Sequence, residues 1–349
     1  MKGVLVEQWT EFSELELHEI EPPGSLEPNQ VRIDIYNAGV SFATSLVVAG
    51  KYQRKPPLPF VPGTEVGGVI AEVGADVTRF AVGDRVCAVL DWGGMAEQAV
   101  TTDANVFAIP DSMPFHEAIG LTNSYMTSMA ALTWSHLLNI KSEDSLLVHG
   151  AAGGVGLAAV EIGKILGARV IATAGTPEKL VVAREAGADH AINYREQDFR
   201  EHVMDITDRH GVDAVFDPVG GDVFDLSIRC LAPEGRISPI GFAGGRIPSV
   251  AANILLVKNI TVCGLNMGYY YGWSPNDVRY EYTEKLQRMM ARLGTWYEQG
   301  RIKLRTSHRF PLEQFQEAMR VVLGRESIGR VALDICIEKT SRQNKEAAT

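Results

Sequence analysis

The run Leu146-Leu147-Val148-His149-Gly150-Ala151-Ala152-Gly153-Gly154-Val155-Gly156 constrains this chain more than any other segment. A strand over Ser145–His149 leads into it, and a helix over Val155–Leu166, ended by Gly167, leads out. Between them, small residues stand where a tight turn brings backbone close to another group. Ala151 takes the first glycine position of the dinucleotide fingerprint. Gly153 lets the backbone approach a pyrophosphate, and Gly156 lets the new helix pack closely on its sheet. The unsatisfied N–H groups and positive dipole end of that helix then face the anion. This makes Ala152, Gly153, Gly154, Val155 and Gly156 candidate cofactor contacts. A ligand-free strand-to-helix turn would show similar glycines. The context favours a nucleotide, because a second strand follows at Arg169–Thr173.

The pattern around the turn extends this reading. After Arg169–Thr173 comes a helix capped by Thr176, with Pro177 in its first turn and Gly187 at its end. Strands are expected at His190–Asn193, Ala214–Phe216 and Arg236–Ile240, with helices near Asp198–Arg209 and Val223–Leu231 between them. Strand–helix alternation at this spacing predicts a doubly wound parallel sheet, the Rossmann arrangement. Gly241, Phe242 and Ala243 end the last of these strands, where such sheets bind ligands. Beyond Gly264 the alternation fades. Tyr280–Gln299 reads as one or two helices, Leu312–Leu323 as an amphipathic helix and Arg330–Ile337 as a strand.

The end of the second strand bears on which dinucleotide is bound. An NAD site usually places an acid about 20 residues beyond the glycines to hold the ribose hydroxyls. Here the segment is Thr173-Ala174-Gly175-Thr176, with no acid, and Lys179 follows in the next helix. Gly175, Thr176 and Lys179 therefore point to NADPH. Glu178 argues the other way, and a solvated helix surface is the alternative for Lys179.

The first third of the chain is different. Val31-Arg32-Ile33-Asp34-Ile35 alternates as a half-buried strand does, and Val66–Val73 and Arg85–Leu90 are apolar runs rich in β-branched residues. Pro22-Pro23-Gly24, Pro56-Pro57, Pro62-Gly63 and Val82-Gly83-Asp84 punctuate them, which suggests a small barrel or sandwich. From Phe115 to Leu138 the pattern becomes helical. At 349 residues, two cores are expected, and the 46% hydrophobic content can fill both. The formal net charge of -10 argues against a nucleic-acid partner. Cys87, Cys230, Cys263 and Cys336 are widely spaced, which fits free thiols in a reducing compartment and gives no zinc-ribbon spacing. Glu7 interrupts the start before a signal-peptide core forms, and no apolar run is long enough to span a bilayer. A cytoplasmic protein with no membrane segment is expected.

Several motifs together carry a family resemblance. They are Asn37-Ala38-Gly39-Val40-Ser41, Lys55-Pro56-Pro57-Leu58-Pro59-Phe60-Val61-Pro62-Gly63-Thr64-Glu65 and Val82-Gly83-Asp84-Arg85-Val86. They continue with Gly150–Gly156, Ala188-Asp189-His190-Ala191-Ile192-Asn193-Tyr194 and Gly329-Arg330-Val331. Over nearly its whole length the chain resembles the zinc-independent medium-chain dehydrogenases/reductases of the quinone oxidoreductase type. The resemblance implies an α/β protein with an N-terminal GroES-like β-barrel catalytic domain, residues 1–121 and 306–349, and a Rossmann NADP-binding domain, residues 122–305. It also implies that Lys179 and Tyr194 border the 2′-phosphate, although Tyr194 also reads as a strand-end aromatic. Thr127 resembles the residue beside the nicotinamide amide, and Leu265 and Asn266 resemble nicotinamide-side contacts. Arg330 either reaches the nucleotide or forms a surface ion pair. A homodimer is implied as well.

Zinc alcohol dehydrogenases are similar to this chain, but their catalytic metal takes a Cys and a His where this sequence has Ser41 and Thr64. Neutral hydroxyls do not replace thiolate and imidazole, and Glu65 alone makes no site, so no metal is expected. Without a Lewis acid, an ordinary ketone is a poor hydride acceptor. Quinones and α,β-unsaturated carbonyls delocalise the incoming charge themselves. The expected reaction is hydride transfer from NADPH to a small-molecule quinone or enone, with Tyr52, Ser41 and Thr44 as candidate catalytic donors. Ser41 and Thr44 depart from the Asn and Asp common in relatives. Asp91, Trp92 and Tyr269–Tyr271 are candidates for shaping the acceptor pocket. The alternatives are a reductase of activated alkenes or acyl thioesters, and an NADPH-binding structural or RNA-associated protein with little catalysis.

Overall fold

The computed structural model describes residues 1–336. Ile337, the expected end of the last strand, and the polar tail after it lie outside the described residues. Contacts divide the chain into two compact units, Met1–Ile119 with the residues from Thr306 onward, and Gly120–Arg305.

The first unit opens with β1 (Lys2–Leu5), β2 (Glu16–Glu19), β3 (Gln30–Val40), α1 (Phe42–Val48), β4 (Glu65–Val73), β5 (Arg85–Val89), β6 (Gln98–Thr102), β7 (Val106–Ala108) and α2 (Phe115–Gly120). β3 is its spine. Val31, Ile33 and Ile35 are buried while Arg32, Asp34 and Tyr36 are half-exposed, which is the two-residue period of a strand with one wet face. One edge of β3 pairs with β4. The other pairs first with β6 and then, from Asn37 to Val40, with a strand from the chain's end. Ile33, Ile35, Val66, Ile70, Val86 and Leu90 fill the core between these strands.

The second unit begins with a π-helical turn, Leu121–Tyr125, and α3 (Met126–Thr133). Then come β8 (Ser145–Val148), α4 (Gly154–Ile165), β9 (Arg169–Ala174), α5 (Pro177–Glu185), β10 (His190–Asn193), α6 (Phe199–Ile206), β11 (Val212–Asp217), α7 (Gly221–Cys230), β12 (Leu231–Pro239), α8 (Ala252–Lys258), β13 (Thr261–Val262), α9 (Met267–Tyr270) and α10 (Arg279–Glu298). All six strands run parallel, in the order β10-β9-β8-β11-β12-β13. Strand order reverses between β8 and β11, the switch point at which such sheets bind ligands beyond their carboxyl ends. Leu146, Leu147, Val148, Val170, Ile171 and Ala172 are fully buried, as strands covered on both faces must be.

The chain then returns to the first unit as β14 (Thr306–Pro311), a 3-10 turn at Leu312–Gln314, α11 (Phe315–Leu323) and β15 (Arg330–Asp334). The expected helix over Leu312–Leu323 thus starts as that turn. Phe315 meets Phe12 edge-on at 5.7 Å between ring centres, and β15 pairs antiparallel with β3. β12 starts five residues before the expected strand, because its first half contains Pro233 and Gly235 and a register shift against β11, with Glu234 at φ 64°. The helices α1 and α8 were not anticipated.

Candidate nucleotide and acceptor sites

In the second unit the glycine-rich turn lies beyond the carboxyl end of β8. His149 N–H donates to Phe216 O at 3.1 Å, and Ala151 N–H donates to Thr173 O at 3.0 Å, so the turn is stitched to both neighbouring strands. Ala152 is buried, and Gly153 caps α4 without a side-chain bond, which leaves the first N–H groups of α4, those of Gly154, Val155 and Gly156, uncapped by any side chain. A Cβ on Gly156 would sit 2.2 Å from Gly150 O, so only glycine permits this closeness of helix and turn. The turn fits a dinucleotide pyrophosphate on these grounds.

At the end of β9, Gly175 is covered by the residues that follow β10. A Cβ there would lie 2.7 Å from Tyr194 Oη and 3.1 Å from Arg195 Nε. Thr176 Oγ1 accepts from Lys179 N–H at 3.4 Å and caps α5, which places Lys179 in its first turn. The exposed Glu178 carboxylate is held below its ordinary pKa by its own backbone N–H and then by the Thr176 hydroxyl. Glu178 is thus turned back onto its own helix end. Arg195 was missed by the sequence reading, although it directly follows the Tyr194 position.

The remaining candidates of this unit lie past other strand ends or on α3. Gly241, Phe242 and Ala243 follow β12. Ala243 N–H donates to Pro218 O at 3.2 Å, and the half-exposed Phe242 ring lies against Gly220. Leu265 is half-buried, and Asn266 Oδ1 accepts from Gly268 N–H at 3.1 Å, capping α9. Thr127 is buried on α3, its hydroxyl 3.5 Å from Asn123 Oδ1. Tyr271 is buried and donates to Thr122 O at 2.6 Å. Tyr269 and Tyr270 join Tyr282 and Trp134 in an edge-to-face cluster.

His149, also missed, is buried at the start of the turn. Its ring bridges Thr173 Oγ1 at 2.8 Å and Ser227 Oγ at 2.7 Å. Ser227 already donates to Val223 O at 2.6 Å, so it accepts from Nε2–H, and Nδ1 accepts from the Thr173 hydroxyl. Burial lowers the His149 pKa to about 3.

In the first unit, Ser41 Oγ and Thr44 Oγ1 are 3.1 Å apart at the start of α1. Tyr52 is half-buried, and burial, partly offset by Gln53, raises its phenol pKa, so it is a protonated donor at neutral pH. Arg54 binds Asp91 Oδ1 at 3.0 Å and lies over the Trp92 ring, 5.1 Å from its centre. Glu65 is buried and its carboxylate is held by the Arg330 guanidinium against Gly39. Arg330 is therefore committed to an ion pair whose side chains are 12% and 3% exposed, rather than to a surface pair. The hydroxyls of Ser41 and Thr64 and a Glu65 carboxylate already neutralised by arginine do not fit a zinc ion. Among the described residues, no three His, Cys, Asp or Glu side chains cluster to hold a metal.

These two units match known families. Residues 27–111 match the alcohol dehydrogenase GroES-like domain, and residues 154–288 match the family described as zinc-binding dehydrogenase. The chain is 39% identical to quinone oxidoreductase-like protein 2 of Rattus norvegicus, over 90% of this chain and 87% of that protein. A quinone oxidoreductase from Pseudomonas syringae pv. Tomato DC3000 superposes with a TM-score of 0.86 at 30% identity, covering 95% of this chain and 99% of that one. The quinone oxidoreductase of Escherichia coli, solved in complex with NADPH, also gives 0.86, at 28% identity, covering 96% of this chain and all of that one. The chain belongs to the medium-chain dehydrogenases/reductases, as a member of the quinone oxidoreductase type. It is an NAD(P)H-dependent reductase, and its two units are a GroES-like domain and a Rossmann-like domain. Among the described residues, no helix is long and apolar enough to cross a membrane.

Proposed function

We propose that this reductase uses NADPH to reduce a quinone or another α,β-unsaturated carbonyl, without zinc. The observation that carries the cofactor choice is the end of β9. No acid stands there, a phenol and a guanidinium lie against Gly175, and Lys179 occupies the adjoining helix turn. This set matches the charge and oxygen acceptors of a 2′-phosphate. The NADPH complex of the Escherichia coli neighbour supports the same choice.

NADPH supplies the hydride when bound. The N-terminus of α4 holds the pyrophosphate, and Thr127, Leu265 and Asn266 border the nicotinamide. Tyr52 donates a hydrogen bond to the acceptor oxygen, with the Ser41–Thr44 hydroxyl pair as the second polar element. Glu65, occupied by Arg330, offers no ligand to a metal. A conjugated acceptor needs none, since its own π-system spreads the charge. Changing Lys179 or Arg195 to alanine should each lower the kcat/KM ratio of NADPH over NADH by about ten-fold, the worth of one charged phosphate contact. Equal use of NADH and NADPH by the unaltered protein would contradict the cofactor choice.

A homodimer is part of the same reading. Among the described residues, β13 pairs only with β12, which leaves one sheet edge open. Ile247, and Leu256 and Val257 on α8, are 71%, 76% and 75% exposed. An open sheet edge and exposed apolar side chains in the same unit suit an isologous contact with a second copy. Light scattering should give twice the chain mass, and a Leu256→Glu, Val257→Glu variant should give one. A monomer in the unaltered protein refutes this.

A further inference from the structure

Glu161 lies on α4, the helix whose start forms the pyrophosphate cradle, yet it is buried far from that end. Two donors make three contacts to its carboxylate. Tyr125 Oη lies 2.6 Å from Oε2, and the backbone N–H of Lys303 reaches both oxygens at 3.1 Å. Tyr125 closes the π-helical turn and stands two residues before Thr127. A π-turn interrupting a helix often marks a functional segment. Ser128 ties the same stretch to the first turn of α4, donating to Val155 O at 2.8 Å. The second unit begins at Gly120 and ends at Arg305, so one carboxylate holds the segments by which the chain enters and leaves it.

We propose that Glu161 is a positioning residue for the nicotinamide half of the cofactor site, acting through Tyr125 on the segment that carries Thr127. The inference rests on the reading of this unit as an NADPH site. It assigns a role to a residue that touches neither cofactor nor substrate.

The hydrogen-bond pattern gives the clamp two states. With Glu161 ionised, the carboxylate accepts from the phenol and from Lys303 N–H. With Glu161 protonated, its O–H donates to Tyr125 Oη, and the phenol proton turns to Lys303 O, which lies 3.4 Å away. That longer bond holds Tyr125 less firmly. The ionisable groups bearing on Glu161 are Tyr125, Lys303 and Arg305, the last also paired with Glu185 at 2.6 Å. Burial outweighs them and pushes the Glu161 pKa up to about 7, so the two states exchange near neutral pH.

The test compares NADPH with 2′-phospho-ADP-ribose, which lacks the nicotinamide ring, between pH 6 and pH 8 by calorimetry. Both ligands carry the same titrating 2′-phosphate and the same pyrophosphate, so the ratio of their affinities removes that contribution. In the unaltered protein, the preference for NADPH should rise about five-fold or more from pH 6 to pH 8, at the lower end of typical coupling between sites. In Glu161→Gln the preference should be flat with pH, with the affinity for 2′-phospho-ADP-ribose unchanged. Tyr125→Phe, which keeps the ring and removes the phenol, should flatten the profile in the same way and carries the test if Glu161→Gln does not fold. A pH-dependent preference that persists in these variants overturns the proposal, as does equal weakening of both ligands. If the unaltered protein binds neither ligand, the cofactor reading falls, and the proposal falls with it.

Discussion

Replacing Gly156 by alanine is expected to destabilise the protein by about 3 kcal/mol and to weaken NADPH binding about 100-fold. The added carbon would sit 2.2 Å from Gly150 O, 2.7 Å from Gly150 C and 2.9 Å from Ala151 Cα. All three are backbone atoms of the turn, and none can swing away as a side-chain tip can. The turn is itself fixed by Ala151 N–H on Thr173 O and Gly153 N–H on Gly150 O, at 3.0 and 2.9 Å. Relief must therefore come from lifting α4 off the sheet or from opening the turn. Either change misaligns the N–H groups that hold the pyrophosphate. Gly153→Ala is the matched control. Its Cβ would meet only Gly150 O, at 3.3 Å, so the fold should tolerate it within about 0.5 kcal/mol. Its NADPH affinity should still fall about ten-fold, because the methyl occupies the space a phosphate approaches. Urea denaturation and calorimetry on the two variants separate these effects. Equal stability loss in both would contradict the assignment of Gly156 to packing and Gly153 to ligand.

The second large effect is a pH-dependent contribution of His149 to stability. Its ring is buried and neutral, with a folded pKa of about 3 against an ordinary value of 6.5. The unfolded chain takes up a proton below pH 6.5 while the fold refuses it. The stabilising contribution is therefore complete above pH 6.5 and is lost as pH falls towards 3. At pH 5 the loss amounts to about 2 kcal/mol. Glu161 works in the opposite sense. Its folded pKa, raised to about 7 from 4.5, makes its contribution largest below pH 4.5 and removes it as pH rises through 7. The two partly offset each other in the unaltered protein, so the effect of His149 appears cleanly only as a difference. The stability gap between the unaltered protein and His149→Gln should shrink by about 2 kcal/mol from pH 7.5 to pH 5, measured by denaturant unfolding. A gap that stays constant over this range would mean the imidazole is not held neutral.

These two residues also show what was legible in the sequence. The glycine-rich turn announces itself because its physics is local. A buried strand, small residues and a helix start fall within a dozen positions, and Thr176, Pro177 and Gly187 mark the next helix just as locally. The parallel, doubly wound sheet follows from that alternation. His149 and Glu161 give no such signal. The partners of His149 lie 24 and 78 residues away, and those of Glu161 lie 36 and 142 away. Only the fold brings them together. Arg330 was readable as a charge but not as a partner, since Glu65 stands 265 residues earlier. β12 was misplaced at its start for a different reason. Proline and glycine in Leu231-Ala232-Pro233-Glu234-Gly235 read as a loop, yet the segment continues the ladder with an irregularity. The catalytic candidates Ser41, Thr44 and Tyr52 were legible through family position and remain proposals on the acceptor side.

The reaction proposed for this protein is a zinc-free, NADPH-dependent reduction of conjugated carbonyls. Its most direct test is NADPH consumption by chelator-treated protein, shown by metal analysis to be free of zinc, with a 1,4-quinone, an enone and a saturated ketone of similar size. Turnover with the quinone or the enone, little with the saturated ketone, and no gain on adding zinc is the predicted result. Turnover that requires zinc, or that is as fast with the saturated ketone, would rule out a zinc-free reduction of conjugated carbonyls.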